Sequence, residues 1–157
     1  MAPASLLIRP ARASERGMLK ALQRRAGLAN PSDRAALESH PDAIDLPARQ
    51  IEAGQVWVAE RDGRIVGFHV TLPRDDHDAE LDGLFVEPER WRSGVGRALV
   101  EHAAEWARQN GAACLHVIGN PHAEGFYSSL GFRTVATAST RFGPGLIMRL
   151  PLPRSSA

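Results

Sequence analysis

Two glycines two positions apart, Gly94 and Gly96 in "EPERWRSGVGRALVEHAAEW", stand where a helical pattern begins. A glycine in a helix interior costs about 1 kcal/mol relative to alanine, so a pair there needs a reason. Upstream, "AELDGLFVEP" reads as a strand closed by Pro88. Downstream, Val95, Leu99, Ala103 and Trp106 recur near one face until Gly111 stops the pattern. The stretch is thus a strand, a loop and a glycine-opened helix. A helix start presents unpaired N–H groups and partial positive charge, and glycines let a ligand approach that backbone closely. Ser93 adds a hydroxyl, and Arg92 and Arg97 add charge, a set suited to a pyrophosphate. The same glycines would equally serve close packing of the helix on a sheet. No Walker loop is present, and the dinucleotide fingerprint G-x-G-x-x-G fails at its third glycine, where Leu99 stands.

The rest of the chain alternates in a way that defines a fold class. "SLLIRPAR" is a short strand. "ASERGMLKALQRRAG" is a helix with Ser14 as N-cap, Met18, Leu19 and Leu22 on one face, and Gly27 as stop. A second helix follows in "ANPSDRAALESHPD", capped by Ser32 and ended by Pro41, and a third in "LPARQIEAG", ending at Gly54. "VWVAERDGRIVGFHVTL" is a hairpin around Asp62-Gly63. After the long helix come an apolar strand, "ACLHVIG", and a helix in "NPHAEGFYSSLGF" with Asn120 as N-cap and Gly131 as stop. Two late strands, "RTVATAST" and "GLIMRLPL", complete the chain. This order predicts an α/β domain with a mixed sheet of about six to seven strands. Its first half is antiparallel, its second holds a parallel βαβ crossover, and helices lie on both faces.

Bulk properties exclude several classes. The chain has 157 residues, 43% hydrophobic and 24% charged, which suits one globular domain over 1–157, with 1–5 and 154–157 as loose ends. Net charge is +1, which gives no field for nucleic acid. No apolar run is long enough to span a membrane, and the first residues lack the pattern of a secretory leader. The lone Cys114 allows no internal disulfide and reads as a small buried hydrophobe, compatible with a reducing cytoplasm. The six histidines make no ligand pattern, so no metal is expected. No G-x-S-x-G elbow is present either, which argues against an acyl-serine route.

"WRSGVG", Trp91 to Gly96, resembles the acetyl-CoA-binding motif Q/R-x-x-G-x-G/A of the GNAT superfamily of N-acetyltransferases, with Trp91 in place of the usual Gln or Arg. "NPHAEGFYSSLGF" is similar to the later motif of that superfamily, where an Asn starts a helix and an aromatic-Tyr pair precedes Leu-Gly-Phe. The likeness runs from about Val56 to Phe132. It implies backbone contacts to acetyl-CoA from Leu84, Phe85 and Val86, where a strand irregular at Gly83 admits the pantetheine arm. It implies further contacts from Arg92, Ser93, Gly94, Val95, Gly96, Arg97 and Ala98 around the pyrophosphate, and from the Asn120 side chain. Tyr127, the only tyrosine, takes the place of the tyrosine that stands near the thioester sulfur as general acid. Glu80 aligns with a glutamate that some members use as general base, often through water, with Asp82 on the same strand face.

The chemistry expected is attack of a bound primary amine on the thioester in a ternary complex. The amine must lose a proton, the oxyanion must be stabilised, and the leaving thiolate gains from a proton. The acceptor is a small molecule or a peptide end, bound by the helices from Ser14 to Gly54 and the loop "PRDDHDAE". There Asp75, Asp76, Asp78 and Glu80 either attract a cation or form a solvated surface. Two other readings keep the glycine loop: a non-catalytic acyl-CoA-binding or regulatory module, and an acetyltransferase of protein N-termini. The late strands leave room for pairing across a homodimer.

Overall fold

A computed structural model of the chain describes residues 6–40, 44–140 and 143–153, without the side chains of 31–33 and 36. Asp62 and Gly63 both take left-handed backbone, with φ of 55° and 75°. That is what a two-residue hairpin turn demands, and it joins β2 (Val56–Arg61) to β3 (Arg64–Pro73) with Arg61 opposite Arg64. The other strands are β1 (Leu7–Pro10), β4 (Ala79–Val86), β5 (Cys114–Gly119), β6 (Arg133–Thr140) and β7 (Gly143–Pro151). They form a seven-stranded sheet in the order β1-β2-β3-β4-β5-β7-β6. β4 and β5 are parallel, whereas β1/β2, β2/β3, β5/β7 and β6/β7 are antiparallel. This is the mixed sheet the sequence predicts, and the crossover between β4 and β5 is α4 (Val95–Gln109). The remaining helices are α1 (Arg16–Ala29), α2 (Pro31–Ser39), α3 (Ala48–Glu52) and α5 (Glu124–Ser129). No helix among the described residues is long and apolar enough to cross a membrane.

The chain divides into two compact units, the first running to Val70 and taking in Gly83–Val100, the second holding Thr71–Asp82 and the chain from Glu101. In the first unit, Leu19, Leu22 and Ala26 of α1, Val58 and Ala59 of β2, and Val95 and Leu99 of α4 are buried. Met18, expected beside Leu19 and Leu22, is instead 57% exposed, because the buried stripe advances by three and four residues to Ala26. Ser14 is not the cap of α1. It lies inside a 3₁₀ turn, Ala13–Glu15, whose Glu15 carboxylate accepts the Arg12 N–H at 2.8 Å. Arg9 fixes this turn, donating to Glu15 and Glu60 at 2.7 Å each, and it holds the Glu15 carboxyl below its ordinary range. Gly27 does not stop α1, which runs on to Ala29. A Cβ there would fall 2.3 Å from Leu37 Cδ1, so the glycine lets α1 and α2 approach closely. The expected terminator Pro41 lies outside the described residues, as do the loose ends.

In the second unit, Ala79 and Leu81 of β4, Leu115 and Val117 of β5, Phe132, Met148 of β7, and Ala103 and Ala107 of α4 are buried. A 3₁₀ turn, Pro121–Ala123, precedes α5. Asn120 has the extended backbone of a cap, but its side chain makes no capping hydrogen bond. Cys114 is half-buried rather than buried, because β5 turns that side chain to the sheet face opposite Leu115 and Val117.

Candidate active site

The first unit carries the glycine-opened turn. A 3₁₀ turn at Pro88–Arg90 ends β4's exit, and Arg92 then takes φ of 63°, a left-handed conformation uncommon for a side chain of that size. Gly94 follows at φ 88°. The first helical bond of α4 runs from the Ala98 N–H to the Gly94 carbonyl at 3.0 Å, so the N–H groups of Gly94, Val95 and Gly96 precede it. Left-handed residues ahead of a helix start make a concave nest of N–H groups. A Cβ built on Gly94 would meet nothing within 4 Å, so the space over the turn is open. The Ser93 hydroxyl donates to the Arg90 carbonyl and braces the turn.

The backbone of β4 is divided by its geometry. The Phe85 carbonyl lies 2.8 Å from the place a Gly67 Cβ would occupy, and the Glu87 N–H donates to Val66 O at 2.9 Å. Both groups therefore face β3. Backbone groups alternate along a strand, so those of Leu84 and Val86 are turned the other way. The side chains of Leu84 and Val86 pack on the cluster of Ala59, Val66, Val95 and Leu99, which seats the start of α4 on the strands. The Trp91 indole N–H donates to Val86 O at 2.9 Å. Gly83 leaves room for the Phe85 ring, whose Cε2 would lie 2.8 Å from a Cβ at that position.

The second unit carries Tyr127. The residue is 8% exposed, and its ring meets Phe126 and Phe132 edge-on, with centroids 5.1 and 5.3 Å away. It also lies 3.3 Å from where a Gly119 Cβ would stand, a tight contact that the glycine avoids. The Tyr127 hydroxyl makes no hydrogen bond among the described residues. Burial pushes its pKa up to about 12, so the phenol is neutral. On β4, Glu80 is half-buried with its Cα opposite His116, the last pair of the β4/β5 ladder. Asp82 lies beyond that pair. It is exposed by area, yet the surrounding protein desolvates it and raises its carboxyl above the ordinary range. Neither carboxylate forms a hydrogen bond or ion pair with a described residue.

Two members of the acidic loop are already engaged. Asp76 accepts from Arg74 at 3.0 Å and from the Asp78 N–H at 3.0 Å. Asp78 Oδ1 accepts the N–H groups of Ala113 and Cys114, each at 3.1 Å, and its Oδ2 lies 2.8 Å from His116 Nε2. The hydrogen bond from His116 and those from the two amides hold Asp78 below the ordinary carboxylate range. An ionised carboxylate only accepts, so Nε2 carries the proton. Asp76, Asp78 and His116 thereby bring possible metal-ligand atoms within 4.8 Å of one another, a grouping the separate histidines do not disclose in sequence. The oxygens are spent on tying this loop to the start of β5. Asp78→Ala should lower stability by about 2 kcal/mol, or roughly 4–8 °C in Tm by thermal denaturation, by leaving two amides and an imidazole unpaired. The unfolded chain binds more protons than the folded one between the ordinary Asp value of 3.8 and the lower folded value. This contribution is therefore present above that pH and is lost as pH falls through the lower folded value.

Comparison with known proteins gives these features a family. The model of the acetyltransferase (GNAT) family matches residues 22–132, and the chain belongs to that family. It is 36% identical over 131 residues to the mycothiol acetyltransferase of Thermomonospora curvata, covering 75% of this chain and 41% of that protein. It is 32% identical over 102 residues to the [ribosomal protein bS18]-alanine N-acetyltransferase of Escherichia coli K12, covering 59% and 68%. An uncharacterized N-acetyltransferase of Mycobacterium tuberculosis is 32% identical over 91 residues, covering 56% and 58%. The chain thus spans about half the length of the mycothiol and mycobacterial relatives. The fold matches a PaiA N-acetyltransferase of Thermoplasma acidophilum solved with coenzyme A, at TM-score 0.75 and 18% identity over 94% of this chain and 99% of that one.

Proposed function

We propose that the chain is an acetyl-CoA-dependent N-acetyltransferase that moves the acetyl group to a primary amine by direct attack. The observation that carries this is the turn from Arg92 to Gly94, with φ of 63° and 88° and open space above the glycine. At Arg92, which is not a glycine, that conformation costs about 1–3 kcal/mol, strain of a kind kept where it serves a site. Arg92, Ser93, Gly94, Val95, Gly96, Arg97 and Ala98 cradle the pyrophosphate, the backbone of Leu84 and Val86 pairs with the amide-bearing arm, and Asn120 adds a side-chain contact. The coenzyme A held by the PaiA neighbour of the same fold supports acetyl-CoA as the ligand. Acetyl-CoA is the co-substrate, and it supplies the activated acyl group. No step needs a metal.

Glu80 takes a proton from the amine, directly or through water. As the N–C bond forms and the C–S bond breaks, Tyr127 donates a hydrogen bond to the departing sulfur. The phenol at about 12 lies roughly three units above an ordinary thiol near 8.5. Complete transfer to a solvent-like thiolate would be uphill by about 4–5 kcal/mol, so the hydroxyl acts chiefly as a donor to developing charge. One relative is named for mycothiol and another for an alanine of ribosomal protein bS18, which supports a small molecule or a peptide end as the acceptor.

The test is release of free thiol from acetyl-CoA over a panel of small amines and short peptides with free N-termini. Turnover on at least one amine is expected. Tight binding of coenzyme A with no turnover on any amine would favour an acyl-CoA-binding module instead. Glu80→Gln should lower kcat/KM about 100-fold at neutral pH. Unchanged kcat/KM would move the base to Asp82, with Asp82→Asn as the comparison.

A further inference from the structure

We infer that the amine acceptor carries an anionic group, a carboxylate or a phosphate, which Arg149 and Arg133 bind on the open face of the second unit's sheet. This rests on the reading of Glu80 as the residue that meets the amine. Strand register brings the groups into line. Glu80 of β4 is opposite His116 of β5, His116 is opposite Arg149 of β7, and Arg149 is opposite Arg133 of β6. Side chains opposite one another on neighbouring strands share a sheet face. The four therefore form one row across four strands, from a carboxylate through an imidazole to two guanidinium groups. The buried Leu115, Val117 and Met148 alternate with them and belong to the other face.

Two arginines directly opposite one another are costly, because like charges in that position destabilise a sheet. Both are exposed, and neither forms a hydrogen bond or ion pair with a described residue. Carboxylates on neighbouring elements are spent elsewhere. Asp78 accepts from two amides and pairs with His116, and Glu124 accepts from Thr134 at 2.9 Å. Thr134 is opposite Met148, so that contact lies on the buried face. An oxyanion between the two guanidinium groups offsets their repulsion, and their planar N–H forks match a carboxylate or a phosphate. Strands lie about 4.8 Å apart, so at the backbone Arg149 stands about 10 Å from Glu80, two strands away. A spacer joining the amine to the anion crosses β5 within that distance. In the next row on the same face Ile118 is opposite Ile147, and Ile118 is 53% exposed, which gives the spacer apolar surface.

The experiment measures thiol release from acetyl-CoA by the full chain with three matched series of acceptors: ω-amino carboxylates from glycine to 6-aminohexanoate, the amides of the same acids, and aminoalkyl phosphates of matching length. At the best length, the wild type should favour an anionic member over its amide by about tenfold in kcat/KM. The ranking of carboxylate against phosphate identifies the anion. Arg149→Gln should bring the anionic member and the amide to within about twofold of each other. It should also raise Tm by about 1–3 °C, because it removes one of two opposed like charges. Equal kcat/KM for all three series would overturn the inference. So would a preference that survives Arg149→Gln and Arg133→Gln together, or a fall in Tm, which would give the guanidinium a structural partner instead. Coenzyme A binding with no turnover in any series would overturn the reading as an acetyltransferase, a separate failure. The anion site is then read by calorimetric titration of 6-aminohexanoate into the protein with and without coenzyme A. Binding weakened about tenfold by Arg149→Gln would uphold it, and no binding, or equal binding by wild type and variant, would overturn it.

Discussion

Tyr127→Phe is expected to lower kcat by about 10- to 100-fold at saturating acetyl-CoA and amine, with little change in either KM. The magnitude follows from what the hydroxyl alone can do. It makes no hydrogen bond among the described residues, so its loss orphans no partner in the fold. The ring is held by Phe126, Phe132 and the gap at Gly119, all of which phenylalanine keeps. Tm should therefore move by no more than about 1 °C, which separates a chemical effect from a structural one. The pH dependence gives a second check. Because burial raises this phenol to about 12, it stays protonated throughout the working range, and loss of rate at mildly alkaline pH does not come from Tyr127. Its stability term is fully present below the ordinary value of 10.0 and declines as pH rises through the folded value near 12. Turnover unchanged in the Phe variant would remove Tyr127 from the chemistry.

Gly94→Val should raise KM for acetyl-CoA by about 100-fold, equivalent to roughly 2.7 kcal/mol of lost binding, with kcat at saturation changed less than fivefold. Two causes add. A β-branched side chain at φ 88° is strained by about 1–3 kcal/mol, which the turn relieves by moving its N–H groups. The new side chain also fills the open space above position 94, the place proposed for the phosphates. Gly63→Val is the control. Gly63 has φ of 75°, and a Cβ there also meets nothing within 4 Å, so its backbone strain is similar. It sits at the tip of the β2/β3 hairpin, and its variant should lose comparable stability while keeping KM for acetyl-CoA. Equal KM values for the two variants would show that the turn before α4 has no special part in binding.

The features legible in the sequence are those set by neighbours along the chain. Asp62-Gly63 announces its hairpin because the turn type depends on two residues alone. The strand, glycine pair and amphipathic run from Ala79 to Gln109 announce β4, the turn and α4 for the same reason. Features set by distant partners were not legible. Asp78 and His116 are 38 residues apart, and no local pattern indicates that an aspartate in a polar loop will accept two amides from the start of β5. Ser14 has the residue type of an N-cap, but Arg9, drawn to Glu15 and to Glu60 on β2, sets the turn around it instead. Met18 and Ala26 show the limit of periodicity. A stripe of 3.6 residues can be drawn through either, and the packing of the first unit selects the smaller side chain. Gly27 reads as a stop in sequence and is a packing position in the fold, because its neighbour Leu37 lies on the next helix. At Trp91 the sequence discloses the departure from a polar residue. Only the bond to Val86 O discloses how the ring is held.

The central claim is direct transfer of the acetyl group to a bound amine, and its most direct measurement is a single turnover with acetyl-labelled acetyl-CoA. Protein in excess is mixed with the label and an amine, quenched in acid, and the label is traced. The label is expected on the amine nitrogen, appearing at the rate of thiol release. No label should be retained on the protein, including at Cys114, whether or not the amine is present. Label on the protein that chases to the amine would contradict direct attack, and thiol release without labelled amine would contradict acetyl transfer.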